Sequence, residues 1–151
     1  MNVRYLLVDR VLDWTANERI RGIKNVAMTE DFLEFHFPGN PVMPGVLTIE
    51  ALVQLAGWLC AASSDFKGWF LPSSVEQCKF YGLALPGDQL ELTVETVSYG
   101  ADKAAFKGVG TVMGKKKAVA QFSGDIVRLD EIGDAQKERR FFKILMRELG
   151  L

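Results

Sequence analysis

The only histidine in this 151-residue chain, His36, stands in the run His-Phe-Pro-Gly-Asn-Pro-Val-Met-Pro-Gly, which opens into an apolar helical stretch with a single carboxylate, Glu50. Imidazole titrates near neutrality and suits a base. A carboxyl embedded in an apolar helix is desolvated in its ionised form, which favours the neutral acid that has a proton to give. Pro38, Pro41 and Pro44 stiffen the loop that holds the first group, and Gly39 and Gly45 let it turn. Gly45 follows Pro44 at the expected helix entrance, where backbone N–H groups have no intrahelical partner and the dipole is positive. An N–H there is placed to hold a carbonyl oxygen as negative charge builds on it. A glycine needed only for chain reversal is compatible with that role. A lone histidine or a lone mid-helix glutamate is more often a solvated or satisfied residue. The apolar setting of Glu50 is what favours chemistry. Base, acid and carbonyl clamp suit removal of an α-proton from a thioester while a β-hydroxyl leaves as water.

The elements that must position these groups are legible in outline. Tyr5 to Leu12 reads as a strand interrupted at Asp9-Arg10, and a second strand follows a turn, from Arg19 to Val26. From Val46 to Ala62, apolar residues cover nearly the whole circumference of a helix, which predicts burial on all sides. Its polar exceptions are Thr48, Glu50 and Gln54, the last two one turn apart. Ser63 to Ser74 reads as a loop-rich connection. Strands are predicted near Val75–Phe80, Gln89–Tyr99, Lys103–Met113 and Lys115–Arg128, with Leu90, Leu92 and Val94 alternating as in a half-buried antiparallel strand. One helix wrapped by a strongly bent antiparallel sheet accounts for the pattern: an α+β chain of the hotdog architecture. Residues 1–128 form that domain. Residues 129–151, with Phe141, Phe142, Leu145 and Leu149 at helical spacing, are expected to be an amphipathic helical extension.

Bulk properties narrow the function. At 48% hydrophobic and 25% charged the composition is that of an ordinary globular chain. A formal net charge of −1 argues against nucleic acid or anionic membrane as the main partner. Lys115, Lys116 and Lys117 beside Gly114 read as a solvated hairpin tip. Cys60 and Cys78 lack metal-motif spacing and a second histidine, and are expected to be reduced core residues. No signal-peptide core or membrane span is expected, which places the protein in the cytoplasm.

Residues 36–54 resemble the signature of the β-hydroxyacyl-acyl-carrier-protein dehydratases, the FabZ and FabA type. Leu6-Leu7-Val8-Asp9-Arg10-Val11, Ile23-Lys24-Asn25-Val26 and Leu85-Pro86-Gly87-Asp88-Gln89-Leu90 match the family at corresponding places, so the similarity covers roughly residues 5–128. The resemblance implies a hotdog fold, His36 as catalytic base, Glu50 as acid and Gly45 as the carbonyl-binding amide. It implies no cofactor and no metal. It also implies an acyl carrier protein bearing a 3-hydroxyacyl-phosphopantetheine as partner, and a homodimer or trimer of dimers with the active site at the dimer interface. The dehydratase-isomerase branch has aspartate at the acid position, so Glu50 favours the simple dehydratase. Phe35 replaces the usual glycine or cysteine, Tyr81-Gly82-Leu83 replaces Arg-Arg-Pro, and the opening helix before Leu6 is not in this sequence. A hotdog thioesterase and a non-catalytic hotdog subunit are the competing readings. Phe66, Trp69, Phe70 and Tyr81 are candidates for an apolar substrate channel, with core or dimer packing equally open. The extension's role stays open between tunnel closure, oligomer contact and partner binding.

Overall fold

Alternating apolar residues put Leu90, Leu92 and Val94 on one face of a strand, all fully buried, and that face lies over the long apolar helix. The computed structural model of the chain describes residues 6–34, 37 and 39–148. Its elements run β1 (Arg10–Thr15), β2 (Arg19–Asn25), a 3-10 turn (Asp31–Glu34), α1 (Gly45–Ser63), β3 (Gly68–Phe80), β4 (Gln89–Tyr99), β5 (Lys103–Val112), β6 (Lys115–Arg128), α2 (Leu129–Ile132) and α3 (Ala135–Leu145). The strands form one antiparallel six-stranded sheet in the order β1-β2-β4-β5-β6-β3. Its concave face packs on α1, whose Leu52, Leu55, Ala56 and Leu59 have no exposed surface.

Several expectations need correction. Tyr5 lies outside the described residues, and β1 begins at Arg10: Leu7 and Val8 are both buried, and two successive inward side chains break the period-two pleat. β3 begins at Gly68, inside the stretch read as loop, and Phe70 pairs with Ile126 of β6. Pro72 hides this strand in the sequence. It is tolerated because β3 is an edge strand with a register shift between Pro72 and Ser74. Cys78 is exposed on that edge, whereas Cys60 is buried. Burial pushes the Cys60 thiol up to about 11, against a smaller opposing hydrogen bond from Tyr99.

Helix α1 also departs from expectation. By length and composition alone it is apolar enough to cross a membrane, yet most of it is core, enclosed by the sheet. It is not covered all round: Val46 is 68% exposed and Glu50 is exposed. Residues 129–148 fold back over the far end of α1. Asp134 caps α3, accepting from the Gln136 and Lys137 N–H groups at 3.0 and 3.3 Å. Phe142 lies 5.7 Å from both the Trp58 and Phe66 rings, centroid to centroid.

Candidate active site

Gly45 is the first residue of α1, with Pro44 at the N-cap and no side chain capping the helix. The helix entrance therefore presents backbone N–H groups and a positive dipole end, as carbonyl binding requires. The reason for glycine here is close approach and not chain reversal. A Cβ on Gly45 would lie 2.6 Å from the Phe80 ring at the end of β3. Phe80 was missed as a site residue, because in the sequence it reads only as a strand phenylalanine.

The loop before Gly45 is built to hold shape. Phe37 and Asn40 exchange backbone hydrogen bonds of 3.1 and 2.9 Å around Gly39, whose φ of 77° suits glycine. The exit is fixed by Met43, which is buried and whose N–H donates to the Ala84 carbonyl at 2.9 Å. His36, the candidate base, lies outside the described residues, as do Phe35 and Pro38. A cleft of ≈ 390 Å³ flanks this loop, lined by residues that include Glu30, Leu33, Phe37 and Pro41. Among the described residues its lining includes neither Gly45 nor Glu50.

Glu50 lies five residues into α1, about 7.5 Å along the axis from Gly45. It accepts a hydrogen bond from Gln54 Nε2 at 3.2 Å, and Gln54 Oε1 accepts from the Leu7 N–H at 2.9 Å. The polar stripe seen in the sequence thus ties the acid to the N-terminal segment. The expected desolvation is absent in a single chain, where Glu50 is exposed. The sheet covers the opposite side of α1 and leaves Val46 and Glu50 outside its wrap.

The four channel candidates separate. Phe70 is 1% exposed and packs edge-on against Phe106 at 4.9 Å and beside Phe122 at 5.9 Å. Phe66 is buried under α3, with the Arg139 guanidinium 4.7 Å above its ring. Trp69 meets Trp58 edge-on at 5.1 Å and presses on Gly57, where any Cβ would overlap its indole. Tyr81 is 58% exposed, next along the chain from the Phe80 that touches Gly45.

A long helix enclosed by one bent antiparallel sheet, with an uncapped entrance beside an edge strand, defines a hotdog protein. The description of the FabA-like domain family fits residues 2–127, and the chain belongs to that family. It is 42% identical over 113 residues to the 3-hydroxyacyl-[acyl-carrier-protein] dehydratase FabZ of Haemophilus influenzae, spanning 74% of this chain and 76% of that protein. It is 42% identical over 123 residues to the FabZ of Bacillus pumilus, spanning 81% of this chain and 85% of the relative. In fold it is similar to smu.793 of Streptococcus mutans bound to acetyl CoA, with a TM-score of 0.66 and 12% identity over 83% of this chain and 94% of that one.

Proposed function

We propose that the chain is a 3-hydroxyacyl-[acyl-carrier-protein] dehydratase, eliminating water from a (3R)-3-hydroxyacyl thioester to give the trans-2-enoyl thioester. The observation that carries this reading is the 42% identity to FabZ dehydratases over most of both chains. His36 takes the proton from C2, and the electron pair of that bond becomes the new C2–C3 π bond as the C3–O bond breaks. The Gly45 N–H holds the thioester carbonyl oxygen while charge passes through it. Glu50, protonated, gives its proton to the departing hydroxyl, which leaves as water. The proton gained by His36 returns to Glu50 through solvent, and the enzyme is restored.

This chemistry needs a water-poor chamber around Glu50, and a single protomer does not supply one. A homodimer does. β3 is a sheet edge exposed from Leu71 to Phe80, and Leu71, Val75, Phe80, Tyr81, Leu83 and Leu85 are apolar residues on or beside it. A long edge strand with apolar side chains seeks a partner, and a second copy related by a two-fold axis is the simplest. In that assembly each site takes His36 from one protomer and Glu50 from the other. The acyl group arrives on the phosphopantetheine arm of a carrier protein.

The test is to supply (3R)-3-hydroxyacyl thioesters on carrier protein and on coenzyme A, and to follow enoyl absorbance and free thiol together. Enoyl product without thiol release is expected. Thiol release without enoyl product would make the protein a thioesterase, and neither signal would make it a non-catalytic subunit.

A further inference from the structure

Among the described residues Lys24 is the one charged side chain that is buried, at 3% exposure. A buried ammonium is strongly disfavoured unless paired, and methionine would fill much the same space without a charge. Lys24 is paired twice. Its Nζ donates to Glu30 Oε1 at 2.6 Å and lies 3.6 Å from Asp9 Oδ2. Asp9 is held in turn, accepting from the Asn25 N–H at 2.7 Å and donating its own N–H to the Ile23 carbonyl at 2.7 Å.

Glu30 opens the segment that leads to His36. Its N–H donates to the Ala27 carbonyl, and its carbonyl accepts from the Leu33 N–H within the 3-10 turn, both at 3.1 Å. The other stem of the loop returns to the same place. Met43 bonds Ala84, and the turn that follows is tied to Val26: the Val26 N–H donates to the Asp88 carbonyl at 2.9 Å, and the Gly87 N–H to the Val26 carbonyl at 2.8 Å. Both stems are therefore anchored at the end of β2, one by backbone hydrogen bonds at Val26 and one by the ammonium of Lys24.

We propose that Lys24 is a positioning residue for the loop that carries His36, acting through its ion pair with Glu30. The proposal rests on the assignment of His36 as the base. A catalytic group displaced by about 1 Å loses on the order of 10²-fold in rate, and the Lys24–Glu30 bond fixes where this loop starts.

Lys24→Met and Glu30→Gln are compared with the parent and with Lys103→Met, which removes an exposed lysine at the start of β5. Melting temperature, kcat and KM are measured, together with the proton NMR resonance of the sole histidine across pH. Both test variants should keep KM within about twofold and lose about tenfold or more in kcat. Both should shift the imidazole resonance and its titration midpoint, while Lys103→Met matches the parent. A lowered melting temperature with unchanged kcat and an unmoved histidine resonance would make the pair structural only and overturn the proposal. Should Lys24→Met fail to fold, Glu30→Gln decides, since it keeps the shape of a partly exposed side chain. Should the parent show no dehydration, the histidine resonance alone decides: a shift sustains the positioning role while the dehydratase reading falls, and no shift removes both.

Discussion

The acid role proposed for Glu50 requires that water be kept from it, because general-acid catalysis by a carboxyl depends on an environment that disfavours its ionised form. Glu50 stands about 7.5 Å along α1 from the Gly45 amide and is exposed in a single chain, so the proposed role requires cover from outside the chain that carries it. His36→Ala and Glu50→Gln should each lower kcat by about 10²-fold or more with the fold intact, as circular dichroism and steady-state assays would show. Glu50→Asp should be impaired as well, because one methylene withdraws the donor beyond hydrogen-bond reach. Wild-type turnover in either of the first two variants would remove that residue from the mechanism. Cys60 gives a separate prediction at this scale. Burial pushes its folded pKa up to about 11, above the ordinary thiol value of 9.0, so the native state keeps a proton that the unfolded chain loses between these values. Its contribution to stability is full below pH 9 and is lost as pH rises towards 11. Cys60→Ala should flatten the fall of melting temperature across that window, and an unchanged slope would contradict the assignment.

At the scale of elements, β3 and α1 divide the work. β3 passes from the core at Phe70 to the helix entrance at Phe80, and the two ends should respond differently to substitution. Phe70→Ala leaves a cavity beside Phe106 and Phe122 and should cost about 3–5 kcal/mol in denaturant unfolding. Tyr81→Ala removes an exposed ring and should change stability by no more than about 0.5 kcal/mol, while altering preference among acyl chain lengths. Equal effects on stability, or no change in chain-length preference, would return Tyr81 to the surface. The same strand shows where reading the sequence stops. β4 was legible because Leu90, Leu92 and Val94 alternate against a buried face, and α1 because its apolar run is too long for a strand. The first half of β3 was not, since an edge strand containing Pro72 and a register shift obeys neither period. In the candidate site, the place of Gly45 at the helix entrance and of Glu50 on the helix was legible from the proline-glycine loop and the apolar run that follows it, while His36 lies outside the described residues. The exposure of Glu50 was not legible, because an apolar helix signals a need for cover and not how much of that cover one chain's sheet supplies. Lys24 was equally hidden: a lysine in a strand reads as solvated until Asp9 and Glu30 are seen around it.

At the scale of the whole molecule, the sheet wraps one side of α1, residues 129–148 close its far end, and the face bearing Glu50 is left exposed. The exposed edge of β3 lies beside that face, since Phe80 touches Gly45, so one interface would seal both. The reaction site proposed above is assembled from two chains. Its most direct test mixes two inactive proteins. His36→Ala and Glu50→Gln are combined, subunits are exchanged through mild denaturation, heterodimer formation is confirmed by mass, and dehydration is assayed. In a cross-chain dimer the mixed species has one site with both groups damaged and one with both intact, so activity should return from two dead parents, approaching half the wild-type rate per heterodimer. Heterodimers that form and stay inactive would place the base and acid of each site on the same chain and contradict the shared-site account.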